Sequence, residues 1–164
     1  MNEAKGIEIA LYKVLRQYAK LGAATTVRAW QSLRTDSKWS EEKDRSFPVI
    51  DIRCSPPKTN DDQHTMSSNV SIQIGTQAED DRDHAIVSKL YAEVKAVLDS
   101  LMKQFLTQTD AEELTLFKAT LASEIGANFA FGGVEFGDPQ EPFDDAGYLI
   151  LSVGFVVHHS RTDY

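Results

Sequence analysis

Near its C-terminus the chain carries Gly147-Tyr-Leu-Ile-Leu-Ser-Val-Gly-Phe-Val-Val-His-His-Ser160, and no other segment constrains the fold as strongly. Tyr148, Ile150 and Val156 alternate onto one side, and Leu149, Leu151, Val153, Phe155 and Val157 onto the other. A β-branched and aromatic run of this kind predicts a strand buried on two faces. At about 3.3 Å per residue the segment spans roughly 45 Å. A domain of this length has a radius of gyration of roughly 15 Å, hence a diameter near 40 Å. The strand therefore crosses the whole domain, bends at Gly154, or projects into a neighbouring subunit. Such a strand points toward assembly rather than catalysis.

The rest of the chain supplies a core for it. At 164 residues, 41% apolar and 26% charged, the sequence fits one soluble globular domain over 1–164. No apolar run reaches the roughly 20 residues that a membrane helix needs, and the N-terminus does not read as a signal peptide. A single cysteine, Cys54, forms no internal disulfide, as expected of a protein made in a reducing cytoplasm. The formal charge is −8, from 25 acids against 17 bases. A duplex repels such a chain unless its bases cluster, and Lys13, Arg16, Lys20, Arg28 and Arg34 are spread along the N-terminal third.

Periodicity then orders the elements. Ile7, Leu11, Val14, Leu15, Tyr18 and Leu21 recur at helical steps, predicting a helix over 3–21 with a stop at Gly22. Val27, Trp30 and Leu33 suggest a second helix, and Asp36 to Arg45 a charged loop. A strand is expected over 46–54, with Pro48 marking a strand start or an edge. The polar stretch 55–68 reads as a long mobile connection. Residues 69–76 alternate cleanly, burying Val70, Ile72 and Ile74 and exposing Ser71 and Gln73. A helix over 82–106 follows an acidic start, with Ile86, Leu90, Val94, Val97, Leu101 and Phe105 as its stripe. Thr109-Asp-Ala-Glu112 has the pattern of a capping box before a short helix that buries Leu114, Phe117 and Leu121. A third strand spans 129–136 and an acidic turn 137–146. The expected fold is α+β: an antiparallel or mixed sheet of about four strands, with two to three helices on one face.

Chemistry-bearing patterns are sparse. The sequence contains no phosphate loop, dinucleotide fingerprint, nucleophile elbow or HExxH. His158 and His159 are adjacent on a strand and so face opposite ways, one packed and one solvated. Asp83-His84 reads as polarity at a helix start. Cys54 shares its face with Ile50 and Ile52, which favours a buried apolar thiol over a pair with His64. Asp138, Glu141, Asp144 and Asp145 lack calcium-loop spacing, and Phe129, Phe131 and Phe136 lack interleaved bases for stacking on nucleic acid. Neither metal nor cofactor is expected, and the chain is expected not to be an enzyme.

The order of elements resembles the tail terminator (tail-completion, head–tail joining) proteins of long-tailed bacteriophages. The likeness rests on the opening helix and on Asp44-Arg-Ser-Phe-Pro-Val-Ile-Asp-Ile52 entering a strand. It continues through the alternating strand at Val70 to Ile74 and the long helix after an acidic start. It closes on Gly-Gly-Val-Glu-Phe136, the acidic loop and Asp144-Asp-Ala-Gly147 before the long strand. It covers roughly 44–160, with 22–43 and 107–125 as additions to the smaller family members. The resemblance implies a homo-hexameric ring on the last ring of the tail tube protein. Such a ring ends polymerisation, receives the head–tail connector protein, and passes DNA through its channel without specific binding. It implies a place at the head-proximal end of the virion tail, with assembly in the host cytoplasm and no membrane partner. On this reading Asp138, Glu141, Asp144 and Asp145 are channel-lining or intersubunit candidates. Lys58, Asp61, Asp62 and His64 are docking-loop candidates, on a loop that orders on contact. The different-class reading is a small α+β ligand-binding protein or enzyme, with a pocket between helix 82–106 and the sheet.

Overall fold

The last strand crosses the domain. In the computed structural model, which describes residues 3–21, 25–29, 48–62, 64–77, 82–101, 111–137, 143–145 and 148–160, β7 (Tyr148–Ser160) pairs antiparallel with β4 (Thr65–Gln77) at every position from Tyr148↔Gln77 to Ser160↔Thr65. Gly154 does not break that ladder, since it pairs opposite Ser71. Around this ribbon stand β1 (Thr26–Ala29), β2 (Val49–Cys54), β3 (Lys58–Thr59), β5 (Phe131–Phe136) and β6 (Phe143–Asp145). The seven-stranded sheet has the order β1-β2-β4-β7-β5, with β3 beside β4 and β6 beside β7. Only β1 and β2 run parallel, so the sheet is mixed. Three helices are described: α1 (Glu3–Tyr18), α2 (Arg82–Ser100) and α3 (Glu112–Glu124). The α+β class is as expected, with more strands than the sequence suggested.

The hydrophobic core lies between helices and sheet. Ile7, Leu11, Val14 and Leu15 of α1, Val87, Leu90, Val94 and Val97 of α2, and Leu114, Phe117 and Leu121 of α3 are all buried in it. They meet Ile50, Ile52, Val70, Ile72, Ile74, Leu151, Val153, Phe155 and Val157 from the strands. Gly6 permits the close approach of α1 to the end of α3. A β-carbon there would lie 2.4 Å from Ile125 Cγ1, inside any tolerable contact. Gly6→Val should therefore destabilise the fold by about 1–2 kcal/mol through overpacking. An unchanged urea midpoint would show that Ile125 simply moves aside.

Several expectations change. β7 is buried on one face only: Leu149, Leu151, Val153, Phe155, Val157 and His159 point at the helices. Ile150, Ser152, Val156 and His158 are half-buried and Gly154 is exposed. The suggested helix through Val27 is instead strand β1, because Thr25-Thr26-Val27 is β-branched and β2 offers a ladder; Trp30 and Leu33 lie outside the described residues. Pro48 precedes β2, as expected of a strand start, but β2 is no edge, being flanked by β1 and β4.

The 55–68 stretch is a hairpin rather than a mobile connection, with β3 paired to the start of β4. Asp62 closes its turn, accepting from the amides of His64 (2.9 Å) and Thr65 (3.0 Å). Ser71 and Gln73 are half-buried. Ile86 is 39% exposed, and Val87 takes its place in the α2 stripe; Phe105 and Gly22 lie outside the described residues. The residue at the α3 N-cap is Ala111, which offers no side-chain cap; Thr109 of the expected capping box lies outside the described residues. The acidic turn contains strand β6, paired to Tyr148–Ile150. Segments 22–43 and 107–125 contain β1, part of the sheet, and α3, part of the core.

Candidate functional site

Because the three described helices pack on one face, the other face of β2, β4, β7 and β5 carries no described helix, although Asp51 and Gly75 on it are buried. The register fixes its composition row by row. Arg53, Ser71 and Gly154 form one row, Asp51, Gln73 and Ser152 the next, and Asn69, Val156 and Glu135 a third. Ser67, His158 and Gly133 complete one end, and Val49, Gly75 and Ile150 the other. Serine, asparagine, glutamine and glycine dominate between them, with Val49 and Ile150 flanking Gly75 at one end and Val156 apart from them.

Charge is balanced on this face. Arg53 Nε and Nη2 each lie 3.1 Å from Asp51 Oδ2, and His158 Nε2 lies 3.2 Å from Glu135 Oε2. Arg28 stands beside Asp51 across the β1–β2 ladder. Burial pushes the Asp51 carboxyl above its ordinary value, and the Arg53 and Arg28 guanidiniums only partly offset that. The charged side chains described on this face thus add nothing to the net −8 of the chain. Around Gly154 the face dips into an open groove of about 460 Å3, bounded by Asn69, Glu135, Gly137 and Val156. An added β-carbon at Gly154 would meet nothing nearer than the Val70 carbonyl at 3.8 Å, so larger residues fit there.

The candidates read from sequence scatter around this face. Lys58 is exposed on β3, Asp61 and Asp62 are exposed in the hairpin turn, and His64 is exposed beside it. The four lie on one ordered hairpin at the end of the sheet. Three hydrogen-bonding groups of His64 and Thr65 hold the Asp62 carboxyl below its usual range. Asp144 and Asp145 belong to β6, opposite Leu149 and Tyr148; Asp138 and Glu141 lie outside the described residues, as do the side chains of Asp83 and His84. Phe131 meets Phe117 edge to face at 5.1 Å and Phe129 is buried, which is packing; the Phe136 side chain lies outside the described set.

A second polar cluster lies under α1, sealed from solvent. Glu8, fully buried, accepts the Cys54 amide at 3.0 Å. Its signal in the sequence is an acid three and seven residues before Leu11 and Leu15, on the core side of the helix. Cys54 is buried as expected, apart from the exposed His64, and burial with the Glu8 charge pushes its thiol up to about 12. His159 is the packed member of the histidine pair and His158 the open one. His159 Nδ1 lies 2.8 Å from the Ser160 carbonyl, which can only accept. The neutral ring therefore carries its proton on Nδ1, and Ser68 Oγ–H donates to Nε2 at 2.9 Å. A serine donating to a histidine has the geometry of an activated nucleophile. Ser68 is 0% and His159 2% exposed, so no substrate reaches either.

Among the described residues no group of three histidine, cysteine or acidic side chains is placed to hold a metal ion. Nor is any described helix long and apolar enough to cross a membrane. Compared with known proteins, the chain matches no protein-family model and no curated protein.

Proposed function

We propose that the chain is a structural virion subunit. Six copies form a ring at the head-proximal end of a phage tail, end tail-tube polymerisation and receive the head–tail connector. The observation that carries this reading is the open sheet face: two strands of thirteen residues form its spine, its described charges balance, and the groove around Gly154 is wide open. A broad polar face suits contact with another protein or a water-filled channel better than capture of a small molecule, which needs an enclosed, largely apolar pocket. The element order of the sequence supports the same reading. Heterologous contacts that close give rings, and DNA passes such a ring without specific binding because the chain as a whole is acidic. On this proposal no residue performs catalysis and no cofactor is required. The acidic turn (Asp138, Glu141, Asp144, Asp145) lies at the channel or between subunits, and the Lys58–His64 hairpin meets the tube or connector.

The ligand-binding alternative would need a pocket between α2 and the sheet. Val87, Leu90, Val94 and Val97 fill the interface of α2 with the sheet, where its pocket would have to lie.

Gly154→Arg combined with Asn69→Arg tests the proposal, because neither side chain is needed by the core. The expected result is an unchanged melting temperature and loss of rings on tail tubes in electron micrographs, with tubes of uncontrolled length. Rings of normal stoichiometry in that variant would remove the open face from the proposal. A single unringed copy at the tube end of the unmodified protein would end the proposal itself.

A further inference from the structure

The buried pair at the end of β4 and β7 does more than fill space. Ser160, next to His159, anchors the segment that leads from α3 into β5. Its amide donates to the Ala130 carbonyl at 2.9 Å, its hydroxyl accepts from the Ala130 amide at 2.9 Å, and that hydroxyl lies 3.4 Å from the Asn128 carbonyl. Phe129 of the same segment lies over the His159 ring, centroids 4.7 Å apart at 30°. One strand end thus holds the 126–130 segment by three hydrogen bonds and one ring contact, and a titratable ring sits at its centre.

The polarity of the network is set by protonation. The Nδ1 proton of the neutral imidazole goes to the Ser160 carbonyl, and Nε2 takes the Ser68 hydroxyl proton. A second proton on Nε2 would face that hydroxyl proton, so the Ser68 hydroxyl must rotate, its oxygen accepting from Nε2–H and its proton seeking another acceptor. The Cys54 thiol, which is also within its hydrogen-bonding reach, is a weak acceptor. We propose that Ser68 and His159 form a proton-operated latch that holds the 126–130 segment on the sheet at neutral pH and releases it in mild acid.

Among the described residues, the charged or titratable groups bearing on His159 come from each surrounding element. Glu3 of α1 favours the imidazolium and His158 of β7 opposes it. Cys54 of β2 stands beyond Ser68, with Glu8 on its amide. Lys118 of α3 lines the groove beside Phe129. Burial outweighs the Ser160 carbonyl and Glu3, and holds the ring below its ordinary value. A histidine whose folded value is lowered binds its proton better once released. Opening is therefore favoured as pH falls below about 6.5, until the folded ring itself titrates. The inference stands apart from the ring proposal, since it concerns one subunit.

Hydrogen exchange on the full chain, corrected for intrinsic rates, tests it. At pH 5.5 against pH 7.5, the opening of the Phe129 and Ala130 amides should rise severalfold, up to a ceiling of about tenfold for a released imidazole titrating near 6.5. Amides of α2 from Val87 to Val97 should not change. His159→Gln, which keeps one donor and one acceptor, should abolish the rise, and His158→Gln should leave it. Should His159→Gln fail to fold, imidazole NMR of the unmodified protein decides. The latch requires the His159 ring to titrate clearly below its ordinary value, with opening that follows its protonation. An ordinary His159 titration, or equal exchange at the two pH values, overturns it.

Discussion

Replacing Phe117 with alanine is expected to lower stability by about 3–5 kcal/mol, the range for removing a fully buried aromatic side chain from a packed core. Phe117 is 0% exposed, stands between Leu114 and Leu121 on the inner side of α3, and meets Phe131 edge to face at 5.1 Å and 74°. Its ring therefore joins α3 to the strand that flanks β7. The loss combines the transfer of its area to water, the cavity left behind and the ring–ring contact, itself about 0.5–1.5 kcal/mol. A domain with a total stability of about 5–15 kcal/mol is left marginal by such a change. Phe117→Leu preserves most of the volume and should cost about 1.5 kcal/mol or less. Urea unfolding of the two variants beside the unmodified chain measures both. A Phe117→Ala loss below about 1 kcal/mol would mean that the site collapses without a cavity, and that α3 is held mainly by Gly6 and Ile125 against α1.

The elements that were legible in the sequence are those whose own periodicity decides them. The α1 stripe, the inward Val70, Ile72 and Ile74, and the inward Leu114, Phe117 and Leu121 follow from spacing alone. What was not legible depends on a partner far along the chain. Thr65 to Ser68 is polar and reads as loop, yet it is strand because Val157 to Ser160 lies opposite it. Thr26 to Ala29 is too short to reveal its type until β2 supplies a ladder. β7 deceives in the other direction, since Ile150 and Val156 read as half of a second buried face and are half-buried points on a face that no described helix covers. The candidate surface was hidden for the same reason: Asn69, Ser71, Gln73, Ser152 and Gly154 are unremarkable in sequence and become one surface only through register. His159 was partly legible, because alternation from Phe155 and Val157 sends it inward, whereas its partners Ser68 and Phe129 are set by tertiary structure.

Glu8→Leu is expected to cost about 2–3 kcal/mol, although leucine suits a core position better than glutamate does, because a buried donor left without its acceptor carries its full desolvation cost. The hydrogen-bond alternation of β2 explains why the acceptor is needed. Ser55 donates to the Asn69 carbonyl of β4, so the Cys54 amide points to the opposite side, toward β1. The described part of β1 ends at Ala29, opposite Ile52, so no β1–β2 pair among the described residues includes Cys54. The Glu8 carboxylate reaches down from α1 to 3.0 Å and takes that place, which ties helix to sheet by a charge-assisted bond. Glu8→Gln keeps an acceptor oxygen of the same reach and should recover at least half of the loss.

The same pair of variants separates the charge of Glu8 from its hydrogen bond. Burial first, and the Glu8 charge second, hold the folded Cys54 thiol up to about 12, above an unfolded value near 9. A raised folded value stabilises fully below the unfolded one. The unmodified protein should therefore lose stability above pH about 9, by up to about 1.4 kcal/mol per unit until the folded thiol titrates. Without the negative charge, the thiol of Glu8→Gln ionises earlier, so this alkaline loss should level off at a lower pH. Unfolding free energies between pH 8 and 11 give the comparison. If Glu8→Leu equals the unmodified protein in stability, the Cys54 amide has another acceptor and the helix–sheet tie does not depend on Glu8. If the alkaline loss of Glu8→Gln runs parallel to that of the unmodified protein throughout, burial alone controls the thiol.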